Sequence, residues 1–161
     1  MTRIRAARED ELELLLEIER EAGRAFADVG MPEIVADDPG TVEALAGAWV
    51  AVDEHDRPLA YLVSDVVDGC AHIEQVSVAP SHARRGLGAA LIDHLGSVTG
   101  RPLTLTTFRD VPWNAPYYER LGFRVFEPGP ELAALVRREA TTIPGDAPRV
   151  AMRRDQAVTP L

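Results

Sequence analysis

Between Val76 and Ala90 the chain reads VSVAPSHARRGLGAA, and that order of residues admits few local structures. A β-like run ends at Pro80, an arginine-bearing loop leads to Gly86-Leu87-Gly88, and an apolar-periodic helix (Ala89, Ala90, Leu91, His94, Leu95) follows directly. A strand, a glycine loop and a helix N-terminus in that order leave several backbone N–H groups unpaired at one point, where the helix dipole adds partial positive charge. The pair makes an anion site suited to phosphate. Arg84 and Arg85 supply fixed charge with planar donors that match phosphate oxygens. The expected occupant is a pyrophosphate.

Residue types narrow the phosphate ligand by exclusion. All 17 basic residues are arginine, so a G-x-x-x-x-G-K-[ST] phosphate loop and a Schiff-base lysine are both ruled out. A dinucleotide fingerprint G-x-G-x-x-G fails at its third glycine, where Leu91 stands. The single cysteine, Cys70, excludes an internal disulfide and a multi-cysteine zinc site, and no clustered ligand spacing appears, so no metal is expected. The 161 residues suit one domain over 1–154, with 155–161 as a short C-terminal tail. Hydrophobic content of 46% and charged content of 27% are those of a globular protein, and no apolar run reaches the length of a membrane span. A cytoplasmic protein is expected, with no membrane partner. The net charge of −9 argues against nucleic acid and is compatible with a cationic small substrate.

Along the chain, residues 2–6 alternate as a strand. Residues 9–26 place Leu12, Leu15, Leu16, Ile18 and Ala22 on one helical face. A loop rich in Gly, Pro and Asp follows over 28–40, then a short helix over 42–47 capped by Thr41. Strands at 48–52, 59–67 and 71–79 form a meander, with Asp68-Gly69 as the hairpin signal. After the glycine loop the pattern predicts a helix to residue 98, a strand at 103–107 and a helix at 115–121. A strand at 123–127, a helix at 130–140 and a last strand at 149–153 complete it. The layout is α+β around a mixed sheet. One strand breaks its own period. Ala71 and Ile73 are two apart, as are Val76 and Val78, but Ile73 and Val76 are three apart. An extra residue at Glu74 or Gln75, a β-bulge, restores both sets to one face and frees backbone groups to bind a cofactor's amide arm or an oxyanion. The plainer alternative is that Gln75 faces a polar neighbour at a sheet edge.

The stretches HIEQVSVAPSHARRGLGAAL (72–91) and NAPYYERLGF (114–123) resemble the GNAT superfamily of acetyl-CoA-dependent N-acetyltransferases. The resemblance implies a three-layer α+β fold with a central mixed, mostly antiparallel sheet flanked by helices, and acetyl-CoA as cosubstrate. It places the bulged, pantetheine-pairing strand at Val76, Ser77 and Val78. The loop [QR]-x-x-G-x-[GA] falls on Ala83, Arg84, Arg85, Gly86, Leu87, Gly88 and Ala89, with Ala83 in place of the usual Gln or Arg. In the segment matching Y-E-x-L-G-F, Tyr118 inherits the role of general acid. Asn114 is the candidate for the family's cofactor-touching asparagine, and Tyr117 joins the cofactor contacts. Adjacent helical residues point about 100° apart, so one of Tyr117 and Tyr118 faces the thioester.

Acetyl transfer to an amine sets three demands. An ammonium of pKa near 10 is only about 0.1% free base at neutral pH and must lose a proton. The thioester oxygen needs donors, and the departing thiolate needs an acid. Glu74 is the expected base, directly or through water, with His72 and Asp110 as fallbacks; the Val76 amide is the expected oxyanion donor. Acceptor selection falls to two loops, with Phe26, Met31 and Glu33 in the first and Phe108, Asp110 and Trp113 in the second. The expected acceptor is the primary amine of a small molecule. Acetylation of a protein N-terminus or lysine stays open, as does a non-catalytic acyl-CoA-binding module. A homodimer through edge strands is compatible with the fold, but no residue selects an interface.

Overall fold

The computed structural model describes residues 3–28, 45, 47–82, 85–108, 115–142 and 149–155. Seven strands form one sheet: β1 (Arg3–Ala6), β2 (Trp49–Val52), β3 (Pro58–Val67), β4 (Cys70–Val78), β5 (Leu103–Phe108), β6 (Arg124–Val125) and β7 (Arg149–Arg154). Their order is β1-β2-β3-β4-β5-β7-β6. The ladders are antiparallel except between β4 and β5. Among the described residues, four α-helices accompany them: α1 (Leu12–Asp28), α2 (Leu87–Thr99), α3 (Ala115–Arg120) and α4 (Pro130–Thr142). The α+β layout around a mixed sheet is as the sequence pattern predicts, and its mostly antiparallel pairing is as the resemblance implies. Two details differ. The first helical turn, Glu9–Glu11, is a 3-10 helix, and β6 has only two residues. The predicted helix over 42–47 lies largely outside the described residues.

The chain divides into two compact units, Met1–Ser64 with Gln75–His94, and Asp65–Glu74 with Leu95–Leu161. In the first, the apolar stripe of α1 (Leu12, Leu15, Leu16, Ile18) packs with Leu45, Ala48, Val50, Val52, Tyr61 and Val63. The periodic leucines do what their spacing requires, since one helical face must leave water. An ion cluster fixes the β2–β3 turn to β1. Asp56, held at φ 64°, accepts from Arg5 Nε at 2.9 Å and Arg8 Nη2 at 2.6 Å, and Arg3 joins them. Arg5 also grips Glu11 through both terminal nitrogens, at 2.9 and 2.8 Å. The Arg5 and Arg8 guanidiniums hold the Asp56 carboxyl down at about 2.

The second unit buries Ala71, Ile73, Leu95, Leu103, Leu105, Phe123, Leu132 and Met152. Its α4 is capped from a distance. Asp68, in the β3–β4 turn, accepts from the Glu131 and Leu132 N–H groups at 3.0 Å each, and Glu131 Oε2 accepts in return from the Asp68 N–H at 2.7 Å. The turn thus performs the work of a capping box for a helix far away in sequence. A Cβ at Gly129 would meet Asp68 Oδ2 at 2.8 Å, so a side chain there would push the capping carboxylate away from the helix start. Asp68→Ala removes both acceptors and is expected to cost about 1–2 kcal/mol, lowering the melting temperature by about 3–6 °C in a thermal scan.

Candidate active site

The β3–β4 hairpin turns through Asp68 and Gly69, with φ of 51° and 75°. Positive φ at both central positions makes it a two-residue turn, which sets Val67 opposite Cys70. At the far end the Ala79 N–H donates to the Leu59 carbonyl at 2.8 Å. Leu59 is eight positions from Val67, whereas Ala79 is nine from Cys70. β4 therefore spends one residue more than β3 over this span; β3 is itself irregular at Leu59 against β2, where Ala51 pairs with Ala60 and Val52 with Pro58, so the bulge in β4 rests on the directions of its amides. The Ala71 N–H points away from β3, to the Pro102 carbonyl at 2.9 Å, while that of Ala79 points toward it. Residues an even number apart in a regular strand point their amides the same way, so the strand must slip by one between them. Gln75 Nε2 donates to Ser77 Oγ at 2.8 Å, the spacing of side chains on one face of a regular strand, so the slip lies at or before Gln75.

Counting back from Ala79, the amides of Val76 and Val78 point away from β3. On that edge β4 pairs with β5 only through Ala71↔Leu103 and His72↔Thr104. Among the described residues, the Val76 and Val78 amides have no ladder partner. The burial pattern corrects one expectation. Val76 and Val78 are only half-buried, and Ser77 between them is the buried residue, at 4% exposure. A serine is stable there because the Gln75 amide satisfies its hydroxyl. His72 is 2% exposed and its Nδ1 lies 2.8 Å from Thr104 Oγ1, which makes it a core residue of the second unit rather than a reachable base.

Beyond the strand, Pro80–His82 forms a 3-10 turn closed by His82 N–H on the Ala79 carbonyl at 2.8 Å. Gly86 takes φ 76°, with open space where a Cβ would stand. The bond from Ala90 N–H to the Gly86 carbonyl, at 3.0 Å, begins the α2 ladder. The amides of Leu87, Gly88 and Ala89 therefore have no partner within the helix, while buried Leu87, Leu91, Ile92 and Leu95 anchor its apolar side. Arg85 is exposed at the same end. Open amides, a helix N-terminus and a guanidinium suit the diphosphate of a nucleotide.

In the second unit, Glu74 is exposed and carries no hydrogen bond or ion pair among the described residues. Partial desolvation and the negative charge of Asp65 hold its carboxyl above the usual range. Tyr117 and Tyr118 sit on α3 with their rings 5.2 Å apart at 67°. Tyr118 packs edge-on against Phe123, at 5.8 Å, and its carbonyl closes the helix by accepting from the Leu121 and Phe123 amides at 3.0 Å each. Burial, helped by Tyr117, pushes the Tyr118 phenol up to about 12. Burial also raises Tyr117, opposed by the Arg120 guanidinium 5.9 Å from its ring. Of the two, Tyr118 is the more enclosed. Its phenol keeps its proton at any physiological pH and can donate it as a hydrogen bond.

Ala83, Arg84, Asn114, Met31, Glu33, Asp110 and Trp113 lie outside the described residues, and of Phe26 and Phe108 only the backbone in α1 and β5 is described. The sequence pattern gave no sign of Tyr61. It is fully buried in the first unit, its hydroxyl beside Ser77 and Glu19 without a partner in bonding geometry. Burial raises its phenol as well.

Alkaline titration followed by tyrosinate absorbance is expected to show a phenol with a midpoint near 12 that disappears in Tyr118→Phe. Because the folded value lies above the unfolded one, about 10, the associated stabilisation is complete below pH about 10 and is lost as pH rises through the folded value.

Residues 44–125 match the family described as acetyltransferase (GNAT) domain. The solution structure of apo-form YjaB from Escherichia coli superposes with a TM-score of 0.70 at 22% identity, covering 98% of this chain and 99% of that one. PaiA N-acetyltransferase from Thermoplasma acidophilum, in complex with coenzyme A, gives 0.70 at 14% identity over 97% and 99%. A GNAT family acetyltransferase from Brucella melitensis, in complex with acetyl-CoA, gives 0.53 at 23% identity over 81% and 90%. At these identities the likeness to the solved structures is one of fold; the family match, spanning half of the chain, carries more. This chain belongs to the GNAT family of acetyl-CoA-dependent N-acetyltransferases.

Proposed function

We propose that the chain, acting as a single domain over residues 1–154, moves an acetyl group from acetyl-CoA to the primary amine of a small molecule by direct attack on the thioester. The observation that carries this reading is the slip in β4. It turns the Val76 and Val78 amides out of the β3 ladder a few residues before the open N-terminus of α2. The diphosphate is held by the amides of Gly86, Leu87, Gly88 and Ala89, with Arg85 adding charge, and the amide arm pairs with the Val76 carbonyl and the Val78 N–H, which leaves the Val76 N–H for the thioester. Acetyl-CoA supplies an electrophilic carbonyl joined to a thiol leaving group.

The chain's own groups meet the remaining demands. Glu74, raised and unpaired, takes a proton from the ammonium directly or through water, and the freed nitrogen forms its bond to the carbonyl carbon. The Val76 amide donates to the carbonyl oxygen as negative charge gathers there. The nitrogen then gives up its second proton to water as the carbonyl reforms and the carbon–sulfur bond breaks, and Tyr118 donates a hydrogen bond to the departing thiolate. A phenol near 12 facing a thiol of about 8.5 makes full proton transfer uphill by about 5 kcal/mol. Tyr118 therefore serves as a strong hydrogen-bond donor to the sulfur, and the thiolate takes its final proton from solvent.

Acetyl-CoA should be consumed, with thiol release, alongside one class in a panel of polyamines, aminoglycosides, arylalkylamines, amino acids and short peptides. Turnover with peptides alone would replace the small-molecule acceptor, and tight binding without turnover would reduce the chain to a binding module. Glu74→Gln is expected to lower kcat by about 100-fold or more. In the wild type, the acid limb of kcat/KM should lie above the ordinary glutamate value of about 4.3, because protonating a raised carboxylate removes the base. Gly86→Ala, strained at positive φ by about 1 kcal/mol, should raise the KM for acetyl-CoA more than it lowers kcat.

A further inference from the structure

Val76 sits between two side chains that hold each other. Gln75 and Ser77 project from the same face of β4, and the Gln75 carboxamide donates to Ser77 Oγ at 2.8 Å, across the backbone of the residue between them. Ser77 is 4% exposed and is the buried polar member of this stretch. The Tyr61 hydroxyl, itself fully buried, lies beside it, so Ser77 has both a tyrosine and a carboxamide as close neighbours. A slipped strand without such a clasp has lost the ladder bonds that ordinarily fix the tilt of its peptide planes. The peptide planes flanking Val76 are the ones the clasp spans.

We propose that Gln75 and Ser77 form a positioning clasp that fixes the Val76 amide as hydrogen-bond donor to the acetyl carbonyl of acetyl-CoA. This rests on the function proposed above, and specifically on the oxyanion role of Val76. Neither residue touches the reacting atoms. Each acts through the backbone it brackets, and a small rotation of that amide weakens a bond whose strength depends on direction. The clasp should matter most in the transition state, where the oxygen is most negative, and least for coenzyme A itself, which lacks the acetyl carbonyl.

The test uses acetyl-CoA carrying carbon-13 at the thioester carbonyl, bound to the full chain and read by isotope-edited infrared difference spectroscopy. In the wild type, donation from Val76 should move the carbonyl stretch to lower frequency than in water. In Ser77→Ala and in Gln75→Met, which keeps the length of the side chain but removes its donor, at least roughly half of that displacement should be lost. Over the same variants kcat should fall by about tenfold or more, with the dissociation constant for coenzyme A unchanged within about twofold. Gln75 is half-buried, so Gln75→Met carries the test if Ser77→Ala does not fold. Gln75→Glu, whose carboxylate can accept from the Ser77 hydroxyl, should keep more of the displacement than Gln75→Met, and Gln75→Asn should recover part of it. Variants that keep the full displacement and the full kcat overturn the clasp while leaving the wild-type function standing. A wild type that binds acetyl-CoA with no displacement overturns the role of Val76 and the clasp with it. A wild type that binds neither acetyl-CoA nor coenzyme A overturns the function itself.

Discussion

An additional residue in β4 decides where this protein keeps its free backbone hydrogen-bonding capacity. Up to His72 the strand spends its amides on both neighbours, with Ala71 bonded toward β5. From Gln75 onward the parity is reversed, and Ala79 bonds toward β3. The amides of Val76 and Val78 are consequently left outside the β3 ladder. A buried amide without a partner costs as much as a lost hydrogen bond, so such a stretch is stable only where water or a ligand can complete it. The half-open state of Val76 and Val78 meets that requirement.

The same economy governs the segment that follows. α2 begins at Leu87 with its apolar side fixed by buried Leu87, Leu91, Ile92 and Leu95, so its unpaired first-turn amides are held in place. Gly86 allows the approach because only its φ of 76° lets the chain enter the helix with the turn left open. The diphosphate site proposed here would draw mainly on backbone geometry, which suits a chain without a single lysine and with a net charge of −9.

Remote contacts hold the remaining parts steady. Asp68 caps α4 from the β3–β4 turn, while Asp56 gathers Arg3, Arg5 and Arg8 at the β2–β3 turn. Both aspartates stand at positive φ, where a short polar side chain is tolerated and then put to use. Tyr118 shows the same coupling of fold and chemistry. Packing against Phe123 shields its phenol, and the shielding keeps the proton on oxygen.

Much of this was legible in the residues alone, because the features concerned are local. The Asp68-Gly69 turn, the apolar period of α1 and α2, the glycine at the α2 entrance and the three-residue gap between Ile73 and Val76 all act within a few positions of the chain. Such signals survive without tertiary context, since dihedral preference and side-chain period are properties of the segment itself. Tertiary structure alone decided the rest. That Ser77 rather than the valines would be buried depended on Gln75 and on Tyr61, sixteen positions away. The cap on α4 came from 63 residues upstream, and the rise in the Glu74, Tyr117 and Tyr118 pKa values came from neighbours and burial. Burial and electrostatic environment are sums over atoms brought close by folding, and sequence spacing does not encode them.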